Sequence, residues 1–168
     1  MHKSNKNRKF NKNVIQPVRV KYWCEKINGI PCQDLKYAKN GDACCDVRAL
    51  EDVIIPARSK VVVKTGLHIA IPENYEIQVR PRSGISFKTD LIFKNTVGTI
   101  DHGYLDAINI IFYNLDSDDS HNFSAGDRVA QIKLSPVPLV KYERVETLEE
   151  LKSGRVDRGG GFGHTGLK

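Results

Sequence analysis

Short runs rich in Val, Ile, Tyr and Phe recur along the chain, separated by Gly, Pro, Asn and Asp at nearly regular intervals. This pattern is typical of short strands joined by turns. We predict strands at 14–23, 44–50, 53–55, 59–71, 75–80, 91–93, 96–100, 106–115, 128–134 and 138–144. Because no long helical pattern separates these runs, the sequence predicts an all-β sandwich or barrel and excludes a doubly wound fold.

One segment, 147–152, has a helical pattern. Thr147 is placed to be its N-cap, and Glu150 follows three residues later, as in a capping box. We therefore predict one short helix near the end of the β domain.

The length and composition fit a single globular domain. The chain has 168 residues, of which 40% are hydrophobic and 27% charged, enough to bury a core. No apolar run approaches the ~20 residues of a membrane-spanning helix. Because the N-terminus lacks the apolar centre of a signal peptide, we expect a cytoplasmic protein, not secreted and without membrane contact.

The positive net charge of +6 lies mainly in the first 12 residues, which carry five of the 26 Lys and Arg residues and no acid. The remainder has 21 basic against 20 acidic residues. We predict a basic, disordered N-terminal arm over residues 1–13. The alternative, contact between this arm and nucleic acid, is the less favoured interpretation.

Four cysteines, Cys24, Cys32, Cys44 and Cys45, lack the paired spacing of a zinc site. Disulfides are not expected in a chain without a signal peptide. We expect all four to be reduced and to behave mostly as small buried hydrophobes.

The segment Arg158–Gly166 contains five glycines, one aromatic ring and an arginine. Such a segment forms no stable element alone. Its backbone N–H groups and Arg158 can bind phosphate, and Phe162 offers a face for stacking on a base. We predict a flexible arm, 153–168, that closes over a ligand; a solvated tail is the alternative.

Asn95–Tyr104 is the densest cluster of candidate site residues. Asp101 ends a predicted strand, where partial desolvation would suit a general base. Asn95 has the donor and acceptors needed to pair with an amide-like edge such as that of a pyrimidine. The alternative is that Asp101 only begins an Asx turn in a hairpin.

Arg82-Ser83-Gly84 follows another predicted strand. A cation, a hydroxyl and a glycine in adjacent positions form a turn that can bind an anion. A surface turn with a solvated arginine is the alternative interpretation.

Asp46-Val47-Arg48-Ala49 places the two charged side chains on one side of a strand. We predict that Asp46 and Arg48 form a structural ion pair. A later segment, Gly126–Gln131, reads as a turn leading into a strand with Gln131 on the polar face.

Together and in order, five segments resemble the motifs of the trimeric dUTP pyrophosphatase (dUTPase) family. They are Asp46–Ala49, Arg82–Gly84, Gly98–Tyr104, Gly126–Gln131 and Arg158–Gly166. The resemblance implies a jelly-roll-like domain over 14–152 that carries the arm 153–168. It also implies Mg²⁺-dependent hydrolysis of dUTP to dUMP and pyrophosphate, which keeps uracil out of DNA and supplies dUMP for thymidylate synthesis.

The resemblance further implies roles for single residues in the reaction. Asp101 would orient and deprotonate the attacking water, and Asp46 would support a hydrated Mg²⁺ through water. The residues that would bind the phosphate chain are Arg82, Ser83, Gly84 and Gln131.

Recognition of the nucleoside would come from the third and fifth motifs. Asn95 and backbone groups near Gly98 and Ile100 would pair with uracil, and the ring of Tyr104 would exclude a 2′-hydroxyl. In the arm, Phe162 would stack on uracil and Arg158 would bind the γ-phosphate; Gly163, His164 and Thr165 would complete the contacts. The family forms homotrimers whose active sites are shared between subunits.

The chain departs from the family pattern at several points. Cys45 precedes the first-motif aspartate, Leu105-Asp106-Ala107 lacks a usual glycine, and the arginine-to-phenylalanine spacing of the fifth motif is one residue short. The basic arm and the acidic insertion 116–123 have no counterpart in the pattern. Two other functions stay open: a dCTP deaminase-like enzyme of the same superfamily, and a non-catalytic, dUTPase-like regulator that binds a partner.

Overall fold

The structure, a computed structural model, describes residues 17–27, 30–31 and 34–156. The chain divides into two compact units, Met1–Val137 and Pro138–Lys168. The predicted basic arm lies outside the described residues, as do Arg158, Phe162, Gly163, His164 and Thr165. Of the helices among the described residues, none is long and apolar enough to span a bilayer.

Strands dominate the described chain, as predicted. The strands are β1 (Lys21–Cys24), β2 (Lys26–Ile27), β3 (Ile30–Pro31), β4 (Cys45–Arg48), β5 (Val53–Ile55), β6 (Lys60–Ala70), β7 (Tyr75–Arg80), β8 (Leu91–Phe93), β9 (Gly98–Ile100), β10 (Ile108–Asn114), β11 (His121–Phe123) and β12 (Arg128–Pro136). The helices are α1 (Ser83–Lys88) and α2 (Leu148–Lys152).

The strands form two four-stranded and two two-stranded antiparallel sheets. The larger sheets have the orders β1-β6-β10-β8 and β4-β12-β7-β9, and the smaller ones pair β11 with β5 and β2 with β3. None of these sheets closes on itself, so the first unit is an open β-sandwich and not a closed barrel.

One hydrophobic core contains residues from both four-stranded sheets. Strict alternation along β10 buries Ile108, Ile110 and Phe112, as expected for strands with one buried face. The ring of Phe112 lies edge-on to Phe93 at 4.9 Å between centroids and 5.5 Å from that of Phe123. Burying a ring of this size stabilises the fold by about 1.5–3 kcal/mol.

The acidic insertion is an ordered turn that leads into β11. Asn114, 2% exposed, donates to the carbonyl oxygens of Ile55 and Asp119 at 3.1 and 2.9 Å. Asp116 accepts from the backbone N–H groups of Asp118 and Asp119, and these bonds lower its pKa. The Asp116 carboxylate thus pairs with backbone N–H groups of the turn, which gives this part of the insertion a structural role.

The fold differs from the sequence prediction in several places. Residues 138–144 form no strand, because Pro136 and Pro138 remove backbone donors where a ladder would continue. Among the described residues, the first strand begins at Lys21, later than predicted. Ser83–Lys88 is a helix where a turn was expected, and β2, β3 and β11 were not predicted. The missed elements are too short to show a periodic pattern.

In the second unit, the predicted helix is confirmed as α2. Its N-cap Thr147 accepts a hydrogen bond from the backbone N–H of Glu150 at 3.1 Å. The Glu150 carboxylate accepts from the N–H of Glu146 and not of Thr147, so the reciprocal bond is displaced by one residue.

The cysteines only partly follow the prediction. Cys44 and Cys45 are free and partly buried. Burial raises the pKa of the Cys45 thiol, and neighbouring Cys44 and Asp46 add to the effect. Cys24 is disulfide-bonded, so the expectation that all four cysteines are reduced is wrong at this position.

Candidate active site

A carboxylate held by two guanidinium groups marks one end of the sheet β4-β12-β7-β9. Arg82 Nε lies 2.8 Å from Asp46 Oδ1, and Arg128 Nη1 lies 3.3 Å from Asp46 Oδ2. Arg82 Nη1 also donates to the carbonyl oxygen of Arg128 at 3.3 Å. Two cations on one anion leave an excess positive charge, which suits the binding of a polyanion such as a phosphate chain.

The pairing of strands creates this cluster from distant parts of the sequence. Asp46 on β4 lies opposite Gln131 on β12, and Gln131 in turn lies opposite Arg80, two residues before Arg82. The Asp46 and Arg82 side chains are only 25% and 24% exposed. Partial burial strengthens such pairs relative to surface ion pairs.

Arg48 does not pair with Asp46, although both lie on the predicted side of β4. Its Nη1 donates to the carbonyl oxygen of Gly126 at 2.7 Å. In the same region, the backbone of Ala49 exchanges hydrogen bonds with Gly126 and Asp127. The predicted ion pair is therefore wrong, because Arg48 fixes the turn before β12 while Arg82 and Arg128 take the carboxylate.

Gln131 fastens the segment that carries Arg82. Its Nε2 donates to the carbonyl oxygen of Pro81 at 2.8 Å. This bond uses one of the two amide hydrogens and leaves the other hydrogen and the carbonyl oxygen for a ligand.

Ser83 and Gly84 open helix α1 on the exposed surface beside the charged cluster. Arg82 is the N-cap, with extended backbone and no side-chain cap hydrogen bond. A Cβ added at Gly84 would meet nothing within 4 Å. Protein packing alone does not require a glycine here, whereas close approach of a ligand to the backbone would.

A second group of predicted site residues follows β9. Asp101 and Tyr104 belong to a tight turn in which Tyr104 N–H donates to the Asp101 carbonyl oxygen at 3.1 Å. The Tyr104 hydroxyl donates to the Ala107 carbonyl oxygen, also at 3.1 Å. This is a backbone turn and not the Asx alternative, since among the described residues the Asp101 carboxylate accepts no hydrogen bond that would mark an Asx turn. Strands β9 and β10 also belong to different sheets, so the turn does not close a hairpin between them. Asp101 is exposed, so the expected desolvation is absent in the single chain.

An open groove of about 330 Å³ lies beside this turn. Its lining consists of Val62, Thr99, Ile100, Asp101, Tyr104, Ile108, Asn109 and Ile111. Apolar side chains from β6 and β10 thus meet one carboxylate and one phenol, the mixture typical of a small-molecule site.

Asn95 and Gly98 lie together at the start of β9. A Cβ added at Gly98 would be 3.2 Å from Val79 Cβ and 3.5 Å from Asn95 Nδ2. β9 is the edge strand of its sheet, so one side of its backbone is not used by the ladder. Donors and acceptors of Asn95 and of the Gly98–Ile100 backbone are therefore available along one edge.

Within one chain, the charged cluster around Asp46 and the site residues that follow β9 do not lie together. The ladders place Asp46 level with Arg80. They place Ile100 opposite Ile77, so Asp101 lies one residue further along. Asp46 and Asp101 are thus separated by about 13 Å along the strands and about 14 Å across the sheet, roughly 20 Å in all. This is longer than a triphosphate chain.

Arg128 is a member of the charged cluster that the sequence analysis did not assign to the site. It begins β12 and lies opposite Arg48 in the ladder. The sequence signal was its position next to Gly126-Asp127 in the fourth motif. Its partner could not be read from the sequence, because 82 residues separate it from Asp46.

Comparison with known proteins gives consistent results. Residues 31–166 match the dUTPase family. A deoxyuridine 5′-triphosphate nucleotidohydrolase of Finegoldia magna is 39% identical over 151 residues, covering 89% of this chain and 99% of the relative. The enzyme of the same name from a Hydrogenobaculum species is 42% identical over 133 residues, covering 79% and 89%.

Solved structures show the same fold. The dUTPase of Staphylococcus bacteriophage 80alpha with dUPNHPP has a TM-score of 0.77 and 25% identity, covering 89% of this chain and 99% of that one. A mutant dUTPase from phage phi11 of S. aureus, described with a structural Mg(II) ion, has a TM-score of 0.70 and 24% identity, with 79% and 99% covered.

Proposed function

The chain belongs to the dUTPase family, and we propose that it hydrolyses dUTP to dUMP and pyrophosphate with the residues described above. The observation that carries this proposal is the convergence of Arg82 and Arg128 on Asp46 beside the open start of α1. Three separate motifs supply these side chains. Because dUTP is made and used inside cells, we propose that the enzyme acts in the cytoplasm.

The charged cluster binds the triphosphate. Arg82 offers its remaining guanidinium donors to phosphate oxygens, and Ser83 adds a hydroxyl. Gly84 admits the phosphate chain close to the backbone because no side chain stands in the way. The free half of the Gln131 amide supplies a further contact.

Mg²⁺ fits this site through water. It prefers oxygen ligands and keeps several waters when bound by one or two carboxylates and substrate phosphates. Each Asp46 oxygen accepts one guanidinium hydrogen bond and retains a lone pair for a metal-bound water. Among the described residues, no group of three or more His, Cys, Asp or Glu could hold a metal directly. Bound Mg²⁺ would neutralise negative charge on the phosphates.

Asp101 acts as the general base. Its carboxylate accepts a proton from a water, whose oxygen attacks the α-phosphorus while the bond from that phosphorus to the bridging oxygen breaks and pyrophosphate leaves. Positioning and charge neutralisation dominate such a step. The exposed Asp101 becomes desolvated only when substrate and a second copy of the chain cover it.

Uracil binds along the free edge of β9. Asn95 and the backbone from Gly98 to Ile100 pair with its polar edge, and the Tyr104 ring lies under the deoxyribose. A close fit of these groups around the ring would exclude the 5-methyl group of thymine. In the fifth motif, Phe162 stacks on the base and Arg158 binds the γ-phosphate.

The enzyme works as a homotrimer with shared sites. The separation of roughly 20 Å between Asp46 and Asp101 supports a site built from different copies. The outer face of the sheet β1-β6-β10-β8 supports it too. On this face Val62 lies opposite Ile111, and Val62 and Ile92 are 51% and 41% exposed. Contiguous exposed apolar side chains mark a contact surface.

Pyrophosphate release from dUTP, dTTP, dCTP and UTP with Mg²⁺ tests the proposal. We expect release from dUTP alone, abolished by chelation of the metal, and an Asp101→Asn control that stays folded but loses activity. Ammonia release from dCTP would identify a deaminase. No turnover of any nucleotide by a folded trimer would identify a binding protein.

A further inference from the structure

His68 ties the turn that carries Asp101 and Tyr104 to strand β6. Its Nδ1 lies 2.8 Å from the carbonyl oxygen of Leu105, the residue after Tyr104. Its Nε2 lies 3.0 Å from Glu25 Oε1. Within the described parts of the chain, no other side-chain hydrogen bond links residues 101–107 to a strand outside the turn.

The pairing of β1 with β6 places the partners of His68. Trp23 lies directly opposite His68, with the ring centroids 5.0 Å apart. Glu25 N–H donates to the carbonyl oxygen of Gly66 at 2.8 Å. Gly66 has φ +63°, and a Cβ there would approach the Cβ of Glu25 to 3.0 Å, so the backbone that carries Glu25 is held close.

Both partners of the imidazole are hydrogen-bond acceptors. A carbonyl oxygen and an ionised carboxylate have no hydrogen to donate, so both contacts are hydrogen bonds only when both ring nitrogens are protonated. A neutral ring keeps one N–H. A hydrogen bond to a charged acceptor is stronger than one to a neutral acceptor. In the neutral ring the hydrogen therefore stays on Nε2, which donates to Glu25, and the hydrogen bond from Nδ1 to Leu105 is lost.

We propose that His68, held by Glu25, is a positioning residue for dUTP hydrolysis, which in its doubly protonated form fixes the Leu105 carbonyl and with it Asp101 and Tyr104. This inference rests on the proposed function of that turn. It adds a contact outside the five motifs and a reason for Glu25 to be acidic. Deprotonation of His68 releases the turn.

The groups facing His68 favour the protonated form. The Leu105 carbonyl bond raises the pKa of His68 most, the Glu25 hydrogen bond and charge and the Asp106 charge raise it further, and partial burial opposes them. A raised folded pKa means that the stabilisation is complete below about pH 6.5, the value for free histidine. It is lost as the pH rises through the raised pKa.

The test uses Glu25→Gln in the full-length enzyme, with His121→Gln as a control at a histidine outside the turn. Gln keeps the shape and removes the charge, so His68 should titrate about one pH unit lower. The alkaline fall of kcat for dUTP should move by the same amount, while KM changes little. The control should keep the wild-type profile.

His68→Ala supplies the second variant. We expect kcat at pH 6 to fall about tenfold, since small misplacements of reacting groups are costly, and the alkaline fall assigned to His68 to disappear. An unchanged kcat profile in both Glu25→Gln and His68→Ala would overturn the inference.

NMR of the substrate-free protein separates this inference from the proposed function. The Leu105 and Asp106 amide signals should titrate with the His68 ring signals and shift with them in Glu25→Gln. If they do so in a protein that does not hydrolyse dUTP, the proposed function fails and the tether stands. If dUTP is hydrolysed but the Leu105 and Asp106 amide signals do not titrate with the His68 ring, the proposed hydrogen bond from His68 to the turn is wrong.

Discussion

Two inactive variants should restore each other's activity when they are mixed, if the active site joins different copies of the chain. Asp101→Asn removes the proposed base and Arg82→Gln a phosphate-binding cation. Each should lower turnover of dUTP by about 10²-fold or more. Because Asp46 and Asp101 lie roughly 20 Å apart in one chain, the two changes would damage different contributions to one site.

The expected recovery follows from counting subunits. In trimers assembled at random from equal amounts, a site receives an intact Asp101 with a chance of one half and an intact Arg82 from another subunit with the same chance. About one quarter of the sites should then be wild type in both positions, so the mixture should reach roughly a quarter of wild-type turnover. A site within one chain would recover nothing.

The assay is pyrophosphate release after the variants are unfolded together and refolded, with separately refolded variants mixed afterwards as control. Sedimentation should show trimers in every sample. Activity of the co-refolded mixture that equals the average of the two separate variants would refute the shared site. Recovery in the control would instead indicate rapid subunit exchange, which a dilution series would detect.

Four further changes test the C-terminal arm, the uracil site and the fold. Truncation after Lys152 should abolish most activity and leave the melting temperature near wild type. Phe162→Ala should cost about 1–3 kcal/mol of nucleotide binding or transition-state stabilisation. A wild-type kcat/KM after truncation would contradict the prediction that the arm closes over the substrate. Gly98→Ala brings a Cβ to 3.2 Å from Val79 Cβ and 3.5 Å from Asn95 Nδ2, so titration calorimetry should show weaker binding of dUMP. An unchanged affinity would contradict the proposed uracil site along β9. Asn114→Ala leaves buried carbonyl groups unpaired and should lower the free energy of unfolding by about 2–4 kcal/mol in urea, without changing turnover per folded site; a loss under about 1 kcal/mol would contradict its role.

The sequence predicted the fold class because alternation and turn residues carry most of the information in short strands. Along β10 the alternation predicts the buried face directly. What it missed depends on tertiary contacts. β11 has only three residues and exists because it pairs with β5, and α1 begins with Ser-Gly, which propensity assigns to a turn.

The sequence supplied candidate site residues one by one, but not the contacts that these residues make. Asp46 and Arg48, two positions apart, suggested a local ion pair, whereas the fold brings Asp46 two arginine partners from 36 and 82 residues away. Such contacts depend on which strands become neighbours and in which register, and local pattern does not specify either. His68 gave no motif signal for the same reason, since both its partners come from other segments.

In the proposed shared site, one small sheet would serve both parts of the substrate. The charged cluster lies on the strand β4 and the turn after β7, while the nucleoside edge and Asp101 belong to β9 at the opposite side of the same sheet. Under the proposed function, a general base and a phosphate site would meet only where different copies of the chain assemble, and closure there would remove water from Asp101. The exposure of Asp101 in the single chain fits a site that a second copy completes.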